Sequence, residues 1–429
     1  MGSVIKVDYL SRVEGEGNLY MEIKDNKVVR VEVGIFEPPR FYEAFLRGRK
    51  YHEVPDITAR ICGICPIAYI MSSCRALEKI LGIEVSEEIN VLRRMAYLGE
   101  WIESHVLHAL MLHAPDFLGY QSVLDMAKDF PEVVRKGLKV KAWGNEVIRV
   151  IGGRPVHPVS FRVGGFYKVI SRSELMKLLK GVWEVKRYAK ELLEWVLKLP
   201  IPEVRRDFEY VSLKGDREYP ILYGRVVSNK GLNISEDDFE KYVVTEQVKY
   251  STSLRYRIKG RGVYVTGPIA RYNNNYHLLR PDVKEVIEAY GYGSPLVNTY
   301  QSIIARLAEV YHAVIEIEEL ILNYREPREP YIEGNVRAGL AAAITEAPRG
   351  ILYHRYELDD EGFVVNANII PPTAQNLAAI EVDLMELGDK LVNLEESKAQ
   401  WLAEQTVRNY DPCISCATHF LRVKKLIIN

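Results

Sequence analysis

Two periodicities divide the chain. Near the start, apolar and polar residues alternate over 5–9, 18–24 and 27–35, with Val29, Val31 and Val33 on one face. Asp25-Asn26 reads as the turn between the last two runs. This predicts a small antiparallel sheet. From Ser86 onward the apolar spacing becomes helical. Ser86 is placed to cap a helix whose first turn holds Glu87 and Glu88, where the dipole favours acids. Ile89, Leu92, Tyr97, Trp101, His105 and His108 follow, with a stop near Pro115. Three further long helices are predicted: one capped by Ser173 and ending before Pro200, one over about 297–324, and one from Pro372 to about 409, stopped by Asp411-Pro412. Residues 200–270 read as irregular, with strand character at 219–227 and 262–265. There is no repeat and no low-complexity linker. The expected fold is mainly α with a smaller α+β part. A β-rich segment would cover residues 1–50, a mainly helical core 51–419, and a tail 420–429.

Composition narrows the class. The 429 residues are 48% apolar and 27% charged, as expected for a soluble globular protein with a large core. The formal net charge of −1 gives no argument for a nucleic-acid partner or an anionic membrane surface. No stretch has the roughly 18 apolar residues of a membrane span, and the first residues do not form a signal peptide. The expected location is the cytoplasm. Five cysteines in so long a chain do not make a disulfide framework.

Four of those cysteines form two CxxC pairs at opposite ends, in Arg60-Ile61-Cys62-Gly63-Ile64-Cys65-Pro66 and Asp411-Pro412-Cys413-Ile414-Ser415-Cys416, with His419 just beyond. Each spacing lets two thiolates converge on one ion, and four soft ligands suit a thiophilic transition metal. Structural zinc is the commonest use of such a set. Against it, roughly 350 residues separate the pairs, a costly loop to close, and a core this large needs no metal staple. A catalytic or redox metal is the other reading. Cys74 lies in an apolar stretch and reads as a small core side chain.

At these residues the chain resembles the large subunit of nickel-iron hydrogenases over essentially its whole length. In that family RxCGxC and DPCxxC motifs hold nickel, and iron carrying carbon monoxide and cyanide shares two of the thiolates. The resemblance implies that Cys62 and Cys413 bind nickel terminally and that Cys65 and Cys416 bridge to iron. Arg12-Val13-Glu14-Gly15 resembles the family's RxEG motif, whose glutamate takes protons beside a terminal cysteine. Heterolytic cleavage of dihydrogen yields a proton that needs such a base. Glu346-Ala347-Pro348-Arg349-Gly350 resembles the APRG segment, which implies that Arg349 and Pro348 lie over the open metal position. A fixed guanidinium suits that role because it stays charged and donates in a planar fork. Thr373, after Pro371-Pro372, matches a hydroxyl that bonds a cyanide, although on its own it reads as a helix cap. Asp116 and Asp411 resemble acids above the open nickel position. Glu43 and His419 resemble ligands of a separate magnesium or iron site. The 153–158 segment, with His157, reads as structural or as facing a partner subunit, and His105 and His108 as core histidines.

Two departures stand out. Many members carry a histidine where Tyr69 stands here, and another where Glu16 stands. Neither change removes a thiolate. Ten residues follow His419, and family precursors lose such a tail to a maturation endopeptidase. The chain is therefore either a precursor with His419 as its future terminus or a form that keeps its tail. It has no further CxxC pair for an iron-sulfur cluster and no GxGxxG fingerprint, so electrons must leave through other polypeptides. The resemblance implies an iron-sulfur small subunit and flavin- or NAD(P)-binding electron-transfer subunits, with possible reduction of sulfur or polysulfide as well. A deazaflavin- or heterodisulfide-linked hydrogenase, or a zinc-stabilised structural subunit of a redox complex, are the alternatives.

Overall fold

The computed structural model describes residues 2–25 and 27–418. His419 and the 420–429 tail lie outside them. Gly2–Val7, Gly17–Lys24 and Lys27–Ile35 form an antiparallel sheet in that order. One detail departs from the alternation. The register shifts between Glu22 and Ile23, so that Arg30 and Val28 pair with consecutive residues and Val29 is the extra residue of a bulge. The phase therefore changes: Val28, Val31 and Val33 are buried and Val29 is 47% exposed.

The helical part is built round Glu87–Val106. Its N-cap is Ser86, whose hydroxyl accepts the Ile89 N–H at 3.3 Å. The helix ends close to the expected stop near Pro115, at Leu118. It reaches that point through a stretch of π-helix, Leu107–His113, and then Ala114–Leu118, with Pro115 as the second residue of that last segment. Pro131–Gly152 packs along it. A Cβ on Gly144 would lie 2.8 Å from the Gly99 carbonyl, so the two backbones touch where glycine allows it. Ser302–Asn323 packs on the other side, close to its predicted limits.

Two other expectations are corrected. The cap near 173 is Ser171, in a capping box with Glu174, and the predicted long helix is broken: Arg172–Met176 is followed by Gly181 and then Val182–Val196. The helix expected from Pro372 to 409 is three pieces, Pro372–Glu386, Gly388–Val392 and Glu396–Arg408, interrupted around Leu387 and Asn393. The 200–270 region holds more strand than its pattern suggested. A four-stranded sheet joins Glu209–Lys214, Arg225–Ser228, Asn233–Ile234 and Tyr264–Thr266, the last parallel to the first. The sequence pattern missed a three-stranded sheet, Gly339–Ala347, Gly350–Leu358 and Val364–Ile370. Its strands are buried on both faces along much of their length, so they lack alternation. The fold as a whole is mainly helical with smaller β parts, and no described helix is long and apolar enough to cross a membrane.

Candidate metal centre

Each cysteine pair sits where a turn runs into a helix. Cys65 precedes Pro66–Leu81, with Pro66 fitting the first helical position, and Cys413 precedes the short Ile414–Ala417. Helical backbone N–H groups at such ends need acceptors. Buried Glu100, from the Glu87–Val106 helix, accepts the N–H groups of Ile67 at 2.6 Å and Ala68 at 3.1 Å, and burial pushes its carboxyl up. On the other pair, the Thr373 hydroxyl accepts the Cys413 N–H at 3.0 Å. Both loops are also held by Arg40, which donates to the carbonyls of Ile61, at 2.7 Å, and Ser415. These carbonyls belong to the residues immediately before Cys62 and Cys416.

The result closes the 350-residue gap with packed structure. The four Sγ atoms lie within 4.8 Å of one another, all buried. Cys62 and Cys413 are 3.6 Å apart and Cys65 and Cys416 3.7 Å. A metal with thiolate bonds of about 2.3 Å in tetrahedral array sets its sulfurs about 3.8 Å apart. These two pairs match that spacing, Cys413 and Cys416 stand closer at 2.8 Å, and the four soft donors suit a thiophilic metal. Burial pushes the Cys413 thiol up, whereas the hydrogen bond from Cys413 holds Cys62 well below the ordinary thiol range. Metal binding to such a set releases protons. Cys74 is remote from this set and buried in the core, as expected, and burial pushes its thiol up.

Glu14 reaches the sulfurs from the N-terminal part. Its backbone pairs with Cys413 as an isolated parallel bridge, and its carbonyl accepts the Ile414 N–H at 2.9 Å. Its Oε2 lies 3.1 Å from Cys413 Sγ and accepts the Ser415 N–H at 3.0 Å. Gly15 makes this approach possible. Its φ is +89°, and a Cβ there would meet the Ile414 Cβ at 2.6 Å.

Arg349 stands at the tip of the hairpin between Gly339–Ala347 and Gly350–Leu358. It donates to Asp411 twice, from Nε to the carbonyl at 2.9 Å and from a terminal nitrogen to Oδ1 at 3.1 Å. Burial opposes its charge, but Asp411 and the thiolates outweigh burial and hold it charged. Burial raises the Asp411 carboxyl despite Arg349 and Arg306. Arg349 Nη1 and Asp411 Oδ2 have no protein partner. A small cavity opens here, lined by Cys65, Cys413, Cys416, Arg349, Thr373 and Tyr69 among others. Pro348 supports the turn through its carbonyl, which accepts from Arg271 at 2.9 Å.

Asp116 and Glu43 stand further out. The Asp116 carboxylate binds Arg408, at 2.7 and 2.8 Å, and Arg12, at 2.5 Å. It thus ties together the two segments that carry Glu14 and Asp411, and among described residues it is not bonded to Arg349. Glu43 accepts the Ile369 N–H at 2.7 Å. His105 and His108 are buried as expected, on Glu309 and on the Arg408 carbonyl. Arg40, Glu100 and Arg271 were missed in the sequence. None belongs to a motif, and each acts on backbone groups that only the fold brings near.

Comparison with known proteins decides the family. A model described as nickel-dependent hydrogenase matches residues 40–136 and 223–419. The chain belongs to the nickel-dependent hydrogenase family. It is similar to the sulfhydrogenase 1 alpha subunit of Pyrococcus furiosus, at 33% identity over 98% of both chains. It is also similar to the NAD-reducing hydrogenase HoxS beta subunit of Cupriavidus necator, at 26% identity over 100% of this chain and 97% of that one. A crystal structure of an NAD+-reducing [NiFe]-hydrogenase in the H2-reduced state superposes with a TM-score of 0.89, at 27% identity over 97% of this chain and 99% of the other. This hydrogenase is therefore a catalytic large subunit and an oxidoreductase, and its relatives are subunits of larger hydrogenases.

Proposed function

We propose that this hydrogenase subunit interconverts dihydrogen with protons and electrons at the four-cysteine site, and that electrons pass through an iron-sulfur small subunit to a flavin- and NAD(P)-binding partner. The observation that carries the reading is the convergence of four buried sulfurs with a carboxylate 3.1 Å from one of them. Similarity to relatives named NAD-reducing hydrogenase and sulfhydrogenase supports the acceptor, with sulfur or polysulfide as a second one. A nicotinamide acceptor would put the reaction in the cytoplasm.

Cys62 and Cys413 would hold nickel terminally, and Cys65 and Cys416 would be shared with iron bearing carbon monoxide and cyanide. The cavity beside Thr373 and Arg349 is lined by both proposed shared thiolates, Cys65 and Cys416, and by one proposed terminal thiolate, Cys413. When bound, the nickel-iron group supplies the redox and Lewis-acid chemistry that takes dihydrogen apart. The chain moves the proton. Cys413 Sγ holds it first, and Glu14 Oε2 accepts it across 3.1 Å. The Ser415 N–H fixes the carboxylate in that orientation. Arg349, charged and anchored on Asp411, presents its unpartnered Nη1 to the site. Buried walls keep bulk water away. Glu43, with His419, would hold a separate magnesium or iron ion.

The test is deuterium exchange. Loaded wild-type protein should exchange D2 with water, and Glu14→Gln should lose roughly 10²–10⁴-fold of that rate while retaining its nickel. Exchange at the wild-type rate in E14Q would reject Glu14 as the proton acceptor.

A further inference from the structure

Tyr69 stands one helical turn after Cys65 in Pro66–Leu81, so it covers the same face as the cysteine. It is 1% exposed and lines the cavity beside Cys65 and Cys416. Its ring lies against His354, with centroids 5.6 Å apart, and His354 in turn bonds the Tyr356 hydroxyl at 2.7 Å through Nδ1. That packing fixes the ring. The Tyr69 hydroxyl itself meets no partner of hydrogen-bonding geometry. A buried tyrosine hydroxyl normally has one, since the polar end is costly to strip of water. A tyrosine phenol ordinarily titrates at about 10, so it is a neutral O–H donor at neutral pH. Thiolates are acceptors, and those of Cys65 and Cys416 share its cavity.

We propose that Tyr69 is a positioning residue whose O–H donates to the Cys416 thiolate, tuning the electron density of the metal group through that sulfur. The inference rests on the nickel-iron reading above. A hydrogen bond to a ligating sulfur withdraws density from it, which weakens donation to the metal and raises the reduction potential. Tyrosine does this with a longer reach than histidine and without a proton that titrates near neutral pH.

The experiment compares wild type with Tyr69→Phe, which removes only the hydroxyl, and Tyr69→His, which returns an N–H donor. In the complex purified with its partners, Y69F should keep its nickel, shift the carbon monoxide and cyanide infrared bands to lower wavenumber, and lower the midpoint potential. Y69H should move both back toward wild type. A second readout uses the metal-free full chain titrated with cobalt(II). The sulfur-to-cobalt absorption band should move to longer wavelength in Y69F and recover in Y69H. Infrared bands, potential and cobalt band all unchanged in Y69F would overturn the proposal. A wild-type chain without nickel or diatomic bands would instead refute the nickel-iron reading, while the cobalt comparison would still judge Tyr69, because it needs only the thiolates.

Discussion

Two buried polar clusters lie side by side in this protein, and they are satisfied very differently. In the first, Arg271 is bonded through all three guanidinium nitrogens. Two bind Glu309 at 2.8 and 2.9 Å, one binds Glu346 at 3.0 Å, and the carbonyls of Ala347 and Pro348 complete the set. Glu309 also accepts from Tyr219 and meets His105 Nε2, each at 2.8 Å, which leaves the other His105 ring nitrogen, Nδ1, without a partner. In the second, around the sulfurs, Arg349 Nη1, Asp411 Oδ2 and the Tyr69 hydroxyl have no partner. Proteins rarely leave buried polar atoms unpaired unless a ligand or a chemical role needs them. The first cluster is scaffold: it grips the turn that carries Arg349. The second is the working site, and Arg349 and Tyr69 line its cavity.

The comparison breaks if the two clusters respond alike. The largest effect is expected at the sulfurs. Cys413→Ser should abolish nickel binding, read by metal analysis, while the metal-free chain loses only about 1 kcal/mol of unfolding free energy. Glu309→Gln should do the reverse, keeping the four thiolates and costing about 3–5 kcal/mol in denaturant unfolding, because Arg271 is left partly unpaired. Its pH dependence has a fixed sign. Burial would raise the Glu309 carboxyl, but Arg271 outweighs it and holds it at about 2 against an ordinary 4.5. A depressed carboxyl contributes stability above the unfolded value and loses it as pH falls through the folded one. The gap between wild type and E309Q should therefore be flat above about pH 4.5 and close between 4.5 and 2. Gly15→Ala sharpens the boundary between the clusters. It should cost about 1–3 kcal/mol through its positive φ and its clash with Ile414, and also slow deuterium exchange by shifting Glu14. The smallest effect is Tyr219→Phe, at about 1 kcal/mol of stability with exchange unchanged.

The working site was far more legible in the sequence than its scaffold. Cys62, Cys65, Cys413, Cys416, Glu14, Arg349 and Thr373 sit in short motifs, and the fold brings all seven together. Arg271 and Glu309 carry no local signal, since a charged residue in a helix reads as solvent-facing until the tertiary fold supplies its partner. Asp116 was readable from its motif, but its partners Arg12 and Arg408 were not. Among the elements, the amphipathic helix after Ser86 was readable because one face is apolar. The Gly339–Ile370 strands were not, because burial on both faces erases the two-residue period. Val29 shows the limit most simply: a single bulged residue puts Val28 in the core in its place, while Val31 and Val33 stay buried.

The most direct test of the central claim is metal analysis joined to infrared spectroscopy on protein purified with its native partners. Nickel and iron at about one atom each, with carbon monoxide and cyanide bands that vanish together with nickel in Cys413→Ser, is the expected result. Zinc alone, with no diatomic bands, would contradict it.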